Sequence, residues 1–257
     1  MSKKPEVSII IPVRNEEQTI TSVLRSLSRQ DDISVCQVIV VDGQSWDGTA
    51  DVASAFPFVE VVSVSPGLIS QMNAGAKQAQ ANILWFLHAD STVPNAGTAG
   101  VIADVMADPA VAGGACRFRL RANDTFFKII GILVNLRARV LHRPYGDQGL
   151  FVRRQIFEQL GGYRDIASSD VDLALRIREK GNFVTISPAV ETSARTWRHH
   201  GKIKTMIWHL KEWMSYEWTR HRSTPAAPPE PLVRTEEIEL KQSNPAPHGR
   251  KVPDNGI

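Results

Sequence analysis

The sequence predicts an α/β fold: a mostly parallel β-sheet flanked by helices. Uninterrupted apolar runs, typical of strands buried on both faces, occupy residues 7–13, 38–41, 59–64 and 83–87. Between the first two, apolar residues recur at helical spacing, at positions 20, 23, 24 and 27. Helices are also predicted at 49–55 and 67–80, so strands and helices alternate over the first ninety residues. Such alternation predicts parallel strands joined by right-handed crossovers.

The second half of the chain has a less regular pattern. Strands are predicted at 113–121, 149–152 and 183–186, and helices at 126–141, 154–160, 170–180 and 202–220. Gly181 is expected to be the C-cap of the helix at 170–180. Residues 223–257 are rich in Pro, Ala, Glu and Lys and are expected to be disordered. One domain over residues 1–222 with a Pro-rich tail is therefore predicted.

Composition narrows the classes of function. The 257 residues are 42% hydrophobic, enough for a sizeable core, and the net charge of +3 is too small to indicate a nucleic-acid partner. Cys36 and Cys116 have no metal-ligand spacing and are expected to be reduced core residues. The first strand begins close to the N-terminus without a signal-peptide pattern, and no apolar run is long enough to span a bilayer. A cytoplasmic protein is expected.

The candidate functional residues follow the predicted strands. In this architecture ligands bind beyond the carboxyl ends of the strands. The polar residues at those positions are Arg14, Asn15, Glu16, Asp42, His88 and Asp90.

His88-Ala89-Asp90 follows the fourth predicted strand and is a candidate metal motif. A carboxylate with a second ligand two residues earlier can hold Mg²⁺ or Mn²⁺ against a diphosphate, whose oxygens complete the coordination shell. The alternative, that Asp90 caps a turn and His88 packs, has equal weight on this motif alone.

Two further motifs combine an acidic residue with a turn or a helix start. Asp42 could accept hydrogen bonds from a base or ribose, although residues 42–49 could equally be a plain strand–turn–helix connection capped by Asp47. Asp170 and Asp172 start a predicted helix, where carboxylates commonly act as caps. In a sugar transfer with inversion, one of the two would be the general base.

Taken together, these motifs resemble the family 2 glycosyltransferases, which have a GT-A fold. The resemblance covers roughly residues 6–200. It is carried by the opening Val-Ser-Ile-Ile-Ile-Pro-Val-Arg-Asn-Glu, by Val40-Val41-Asp42-Gly43, by His88-Ala89-Asp90 at the Asp-x-Asp position and by Ser169-Asp170 at the Glu-Asp position. It implies that residues 1–92 form a nucleotide-binding half and residues 93–222 an acceptor-binding half.

A narrower similarity is to a bacterial subset of glycosyltransferases linked to arsenosugar biosynthesis. It is carried by residues 71–76, 87–90, 146–149 and 192–197. In that subset His replaces the first acid of the metal motif, as His88 does here.

The resemblance implies an inverting transfer from a nucleotide-diphosphate sugar, with UDP favoured, to a hydroxyl acceptor. The implied nucleotide-binding residues are Val13, Asn15, Glu16, Asp42, Gln71 and Asn73. The implied metal ligands are Asp90 and His88, and the metal is Mg²⁺ or Mn²⁺. The implied catalytic base is Asp170, with Asp147 and Gln148 on the acceptor side and Arg195 and Trp197 closing over the diphosphate.

The sequence departs from these patterns at two positions. The subset has a Gly-Arg pair before the motif at 71–75, whereas here Gly67 is followed by Leu68. The first acid of the Glu-Asp pair is Ser169, although Asp170 is kept. A basic contact to the nucleotide is therefore expected to be missing, while the base is retained.

Three alternatives stay open. The chain could be a catalytically weak nucleotide-sugar-binding protein on the same fold. A nucleotidyltransferase is disfavoured because no glycine-rich loop follows the first strand. The aromatic and basic residues at 203–220 could contact a membrane peripherally, at its inner face, although packing of that helix on the domain is favoured.

Overall fold

The computed structural model describes residues 5–122, 124–141, 146–166, 168–195, 201, 204–205 and 211. Its strands are Val7–Val13 (β1), Cys36–Asp42 (β2), Val59–Ser63 (β3), Ile83–Phe86 (β4), Ser91–Thr92 (β5), Val111–Arg121 (β6), Leu150–Arg153 (β7) and Asn182–Ser193 (β8). Its helices are Glu17–Leu27 (α1), Thr49–Ser54 (α2), Leu68–Gln78 (α3), Thr98–Met106 (α4), Thr125–Leu141 (α5), Arg154–Gln159 (α6) and Ser169–Arg178 (α7).

All eight strands form one sheet in the order β3-β2-β1-β4-β7-β6-β8-β5. The first four strands of that order are parallel, as predicted. β7 then runs antiparallel to both of its neighbours, β4 and β6. β6 and β8 are parallel, and the short β5 lies antiparallel on the edge. The predicted mostly parallel sheet is confirmed, with one antiparallel strand inserted between its two halves.

The two faces of the sheet are covered by separate sets of helices. On β1, Ile9 and Ile11 belong to the core under α1, α2 and α4, whereas Ile10 belongs to the core under α3, α6 and α7. Every residue of β1 is buried, because alternate side chains enter opposite layers. Continuous apolar runs are what a sheet covered on both faces requires.

Gly75 lets α3 pack closely against the sheet. A Cβ atom added there would lie 2.5 Å from Cγ2 of Ile10 and 2.9 Å from Cγ2 of Val41. Any larger residue would push α3 away from the strands that carry the site.

Three local expectations differ from the structure. α4 was not predicted, because its apolar residues are mixed with small ones in TAGVIADVM. β8 extends to Ser193, well beyond the predicted residue 186, across an irregularity in its pairing with β6. Gly181 is not the C-cap of α7, which is Glu179; a Cβ at Gly181 would lie 2.9 Å from the carbonyl oxygen of Ala110, so close packing accounts for the glycine.

Several predictions fall on residues outside the described part of the chain. These are most of the helix at 202–220, the tail at 223–257, and Trp197. Among the described helices, none has both the length and the apolar content needed to cross a bilayer.

Candidate active site

A cavity of about 380 Å³ opens at the carboxyl ends of β1 and β4. It is lined by Pro12, Val13, Arg14, Glu16, Gly67, Leu68, Gln71, His88, Ala89, Asp90 and Arg195. Seven of the residues singled out from the sequence are in this set: Val13, Arg14, Glu16, Gln71, His88, Asp90 and Arg195. The edge of the sheet predicted from strand order therefore does bring them together.

The turns after β1 and β2 are tied to each other by hydrogen bonds. Asn15 has a left-handed backbone (φ 56°); its N–H donates to Ser45 Oγ at 2.9 Å, and its Oδ1 accepts from the Trp46 N–H at 3.0 Å. Asp42 accepts from the Ser45 N–H at 3.1 Å and from the Ser45 hydroxyl. Asp42 is opposite Val13 in the sheet, so the turn after β2 begins beside a residue that lines the cavity. Base and ribose contacts by Asn15 and Asp42 stay predictions.

Gln71 supports the floor of the cavity. Its buried amide donates to the carbonyl oxygens of Val13 at 2.8 Å and Val41 at 2.7 Å, where β1 and β2 end. A Cβ at Gly43 would lie 2.8 Å from Gln71 Oε1, so glycine is needed for this arrangement. Gln71 thus fixes the spacing of two strand ends, and direct nucleotide contact by its side chain stays a prediction.

Asn73 points to a different part of the molecule. Its amide donates to the Tyr163 carbonyl at 3.0 Å, and its Oδ1 accepts from the Tyr163 N–H at 2.9 Å. These bonds hold the loop before α7. Nucleotide binding by Asn73 stays a prediction.

His88 and Asp90 follow β4 and share the cavity. The Nε2 atom of His88 is buried and has no hydrogen-bond partner among the described residues. Within that same part of the chain, no three His, Cys, Asp or Glu side chains are grouped as metal ligands. One carboxylate and one orphaned imidazole nitrogen fit a cation that takes its remaining ligands from a diphosphate and water. The donor set thus suits Mg²⁺ or Mn²⁺ only when a phosphate donor is bound.

Asp147 lies in the interior next to this motif. Its residue retains some exposure, but its Oδ1 is sealed from solvent without a hydrogen-bond partner in the described structure. Burial raises the pKa of Asp147 to about 7; His88 opposes the rise, and the nearby carboxylates Asp90 and Asp170 add to it. Residues far apart in the sequence therefore form one acidic cluster, which consists of Asp90, Asp147 and Asp170.

Asp170 lies in the first turn of α7, after Ser168, whose backbone is left-handed (φ 56°). The buried Tyr163 hydroxyl faces the Asp170 carboxylate, and burial together with that charge raises the pKa of Tyr163 well above its usual range. The neighbouring Asp172 is committed elsewhere, because it forms a buried ion pair with Arg176 at 2.7 Å. Of the two carboxylates that the sequence left open as the base, Asp170 is thus the one in the acidic cluster.

Gln148 and Ser169 are buried beside the cluster. Gln148 has no exposed surface, and its Nε2 donates a hydrogen bond to the Cys116 carbonyl oxygen at 3.4 Å. Ser169, which stands where the family has an acid, is also buried. Acceptor contact by Gln148 stays a prediction; in the structure its amide braces β6 behind Asp147.

Two arginines bring positive charge to the cavity. Arg195, after β8, lies 3.5 Å from the Glu16 carboxylate, and Arg14 is exposed at the end of β1. Leu68 lines the cavity at the position where the narrower subset has arginine. Arg14 is a strand-end residue to which the sequence pattern assigns no role; its position in the cavity supplies part of the charge that Leu68 lacks.

Other residues near the site were not singled out from the sequence. Arg121 donates from Nη2 to the Asp90 carbonyl at 3.3 Å, Arg137 lies close enough to lower the pKa of Asp147, and Tyr163 faces Asp170. All three lie in the second half, where no strand-end rule indicates which side chains converge.

The model of the family described as "Glycosyl transferase family 2" matches residues 8–161 of this chain. Among curated proteins, the chain is 26% identical to the probable glycosyltransferase YdaM of Bacillus subtilis over 228 residues, which is 77% of this chain and 53% of YdaM. It is 26% identical to the glycosyltransferase AglE of Haloferax volcanii over 199 residues, 72% of this chain and 66% of AglE. The chain thus spans about half to two thirds of the length of these relatives.

Solved structures of glycosyltransferases share the fold. The mannosyltransferase PcManGT from Pyrobaculum calidifontis, in complex with GDP-Man and Mn²⁺, superposes with a TM-score of 0.67 at 22% identity, covering 94% of this chain and 71% of that one. TarS 1-349 of S. aureus in complex with UDP gives 0.61 at 17% identity, covering 73% and 60% of the two chains. These likenesses show the GT-A fold.

Proposed function

Because this chain belongs to glycosyl transferase family 2, we propose that it is an inverting glycosyltransferase that moves a sugar from a nucleotide-diphosphate donor to a hydroxyl acceptor. The observation that carries the proposal is the continuity of the donor cavity with the acidic cluster. Asp90 lines the cavity and is also an electrostatic neighbour of Asp147, which in turn lies near Asp170. A donor diphosphate at Asp90 would therefore lie within reach of a carboxylate base.

We propose Asp170 as the general base. It would take the proton from the acceptor hydroxyl as the acceptor oxygen forms its bond to the anomeric carbon. The bond from that carbon to the diphosphate oxygen breaks on the opposite face, and the diphosphate leaves with the electron pair. Helix α7 favours the ionised form of a carboxylate in its first turn, which supports this role.

On the donor side, Arg195 and Arg14 would pair with the diphosphate charge that grows as the bond breaks. Asp90 and His88 would hold the divalent cation, whose charge would help to neutralise the diphosphate. Arg195 now pairs loosely with Glu16, so a bound diphosphate would compete for it. Glu16 would then keep its bond from the Thr19 hydroxyl and offer its other carboxylate oxygen to the nucleotide, with Val13, Asn15 and Asp42 around the base and ribose.

UDP is the nucleotide we propose, and GDP is the main competitor. TarS has been seen with UDP-GlcNAc and PcManGT with GDP-Man, so the fold accommodates both nucleotides. We also propose membership of the arsenosugar-linked subset and a cytoplasmic location. Cys36 and Cys116 are both free thiols, which supports a reducing compartment.

A thermal-shift screen tests the donor. Purified full-length chain is heated with UDP-, GDP-, ADP- and dTDP-sugars, each with Mn²⁺ or with EDTA. Binding to the folded state raises the melting temperature by mass action. We expect a Mn²⁺-dependent rise with one UDP-sugar, lost in Asp90→Ala and kept in the matched surface variant Asp51→Ala. No rise with any donor, or a rise that Asp90→Ala leaves intact, would contradict the proposed site.

A turnover assay then separates an enzyme from a binding protein. The donor found in the screen is incubated with wild-type chain and an acceptor panel, and released nucleotide diphosphate is measured. Release above that of the Asp170→Asn variant supports the transferase. Donor binding without any release from either protein would favour the catalytically weak binding protein instead.

A further inference from the structure

Helix α5 presents a row of apolar side chains to solvent. Five of them, Ile129, Ile132, Leu133, Leu136 and Val140, are between 52% and 65% exposed. Their spacing of three or four residues places them along one side of the helix. We call this set the outer face of α5. Continuous exposed apolar surface of this kind marks an interaction site in soluble domains.

The opposite side of α5 is already used for packing. Phe127 and Ile130 are buried against Phe118 and Leu120 of β6 and against Ala194, just after β8. Asn135 fixes the helix to β6 through bonds with both the N–H and the carbonyl of Phe118, at 2.7 and 2.8 Å. These contacts fix the orientation of α5, so the helix cannot rotate to bury the outer face in the core. It points outward because the inner side is anchored.

The surrounding segment is strongly basic. Residues 117–145 contain six arginines and one lysine against a single acid, Asp124, which gives a net charge of +6 in a chain whose total is +3. Helix α5 itself contains no acidic residue. This concentration of positive charge around an apolar row favours a partner that is apolar and anionic at once.

Two grooves beside α5, which follow one another along β6, repeat that combination. One, of about 540 Å³, is lined by Arg119, Arg121 and Lys128 together with apolar residues of β6 and α5. The other, of about 340 Å³, contains Arg117 beside Ile132 and Leu136. Arg119 is paired with Glu191 at 2.9 Å, whereas Arg117 and Lys128 stand exposed. Each groove thus offers a cation next to the outer face.

We propose that the outer face of α5 and its flanking basic grooves seat the protein on an anionic lipid surface. The apolar row would enter the interface between headgroups and acyl chains, and the arginines and Lys128 would contact lipid phosphates. The contact is interfacial, with the helix lying along the surface. The acidic cluster is close to this lipid-binding surface, because Arg121 contacts the Asp90 backbone and Arg137 of α5 lies near Asp147.

Vesicle flotation of the full-length chain tests the proposal without reference to catalysis. Vesicles of phosphatidylcholine with about a third phosphatidylglycerol are compared with pure phosphatidylcholine. We expect flotation with the anionic vesicles, weakened by high salt. Ile132→Gln with Leu136→Gln should lower the partition coefficient by about tenfold or more, because two apolar side chains no longer enter the lipid interface. Ile166→Gln, an exposed apolar residue outside α5, is the matched control and should leave it unchanged.

A second pair of variants tests the charges. Arg117→Gln with Lys128→Gln should weaken flotation by about thirtyfold, because each of the two basic residues near an anionic surface contributes about 1 kcal/mol and about 1.4 kcal/mol is a factor of ten. Arg178→Gln with Lys180→Gln removes the same charge from the exposed end of α7 and should have little effect. Circular dichroism verifies that all variants fold.

Two results would overturn the proposal. One is wild-type protein that stays with the unbound fraction at low salt, or that floats equally well after the Ile132→Gln and Leu136→Gln changes. The other is a wild-type dimer, seen by analytical ultracentrifugation, that Ile132→Gln with Leu136→Gln converts to monomer while no form floats. The outer face would then be a contact between two copies of this chain.

Discussion

The two halves of the molecule place their polar residues in opposite environments. In residues 7–92, the side chains of Asn15, Asp42 and Gln71 are bonded to nearby backbone, whereas His88 Nε2 has no partner in the described part of the chain. In the second half, Asp147 has a sealed carboxylate oxygen with no such bond in the described structure, and its pKa is raised. The bonds in the first half fix the turns after β1 and β2. In the second half, Asp147 is in the low-polarity surroundings that raise the pKa of a carboxyl group.

The largest effect is expected at the proposed base. Asp170→Asn should lower kcat by about 10²- to 10⁴-fold, because the amide cannot accept the acceptor proton. Donor affinity should stay within about twofold, since Asp170 does not line the proposed donor cavity. Steady-state turnover and donor titration give the two quantities. The exposed Asp165→Asn is the matched control, and equal losses in both variants would remove Asp170 from the mechanism.

The next largest effect concerns the ion pair in α7, the helix that carries Asp170. Asp172→Ala leaves Arg176 buried without its carboxylate, and we expect a loss of about 3 kcal/mol in the free energy of unfolding. Arg176 also bonds the Leu160 and Gly162 carbonyls, which moderates the loss. Glu158→Ala, which breaks the more exposed pair with Arg154, should cost under about 1 kcal/mol. Urea unfolding measures both, and similar costs would show that the buried pair does not organise the loop.

Asp147 makes the stability of the folded chain depend on pH. Its folded pKa is about 7, above the usual value of 3.8, so the folded state holds this proton more tightly than the unfolded chain does. Stability contributed by the neutral carboxyl is complete below about pH 4 and is lost as the pH rises through 7. At about 1.4 kcal/mol per pH unit, the cost at pH 8 is at most about 4 kcal/mol.

The Asp147→Asn variant should therefore be more stable than wild type at pH 8 and equal to it near pH 4. Unfolding is followed in EDTA, so that no bound cation contributes. The matched variant Asp165→Asn should show no such pH-dependent difference from wild type. A stability difference that does not change with pH would mean that Asp147 titrates normally.

The smallest effect is expected in the turn after β2. Gln44 has a left-handed backbone (φ 57°) that glycine adopts without cost. Gln44→Gly should thus change stability by less than about 0.5 kcal/mol. Gln78→Gly, in the last turn of α3, should lower the free energy of unfolding by about 1 kcal/mol, because glycine has a low helix propensity. If both substitutions cost the same, the turn after β2 is not held in the left-handed conformation in solution.

The site could be predicted from the sequence where a single rule applies, namely that ligands bind beyond the carboxyl ends of parallel strands. The apolar runs at β1 to β4 and the polar residues after them identified the cavity that Val13, Glu16, His88 and Asp90 line. The sequence was less informative in the second half. The insertion of β7 between β4 and β6 depends on long-range pairing, so the proximity of Arg137 to Asp147, and of Tyr163 to Asp170, has no local signal. The exposure of the outer face of α5 likewise depends on which side of the helix the sheet covers.

The configuration of the product tests the central claim most directly. With the donor identified, proton NMR of the newly formed glycoside gives its anomeric configuration before any equilibration. A single displacement assisted by Asp170 predicts inversion, so that a donor with an α-linked sugar gives a β-glycoside. An α-glycoside as the first product would contradict the account, because retention requires a different arrangement of groups around the anomeric carbon.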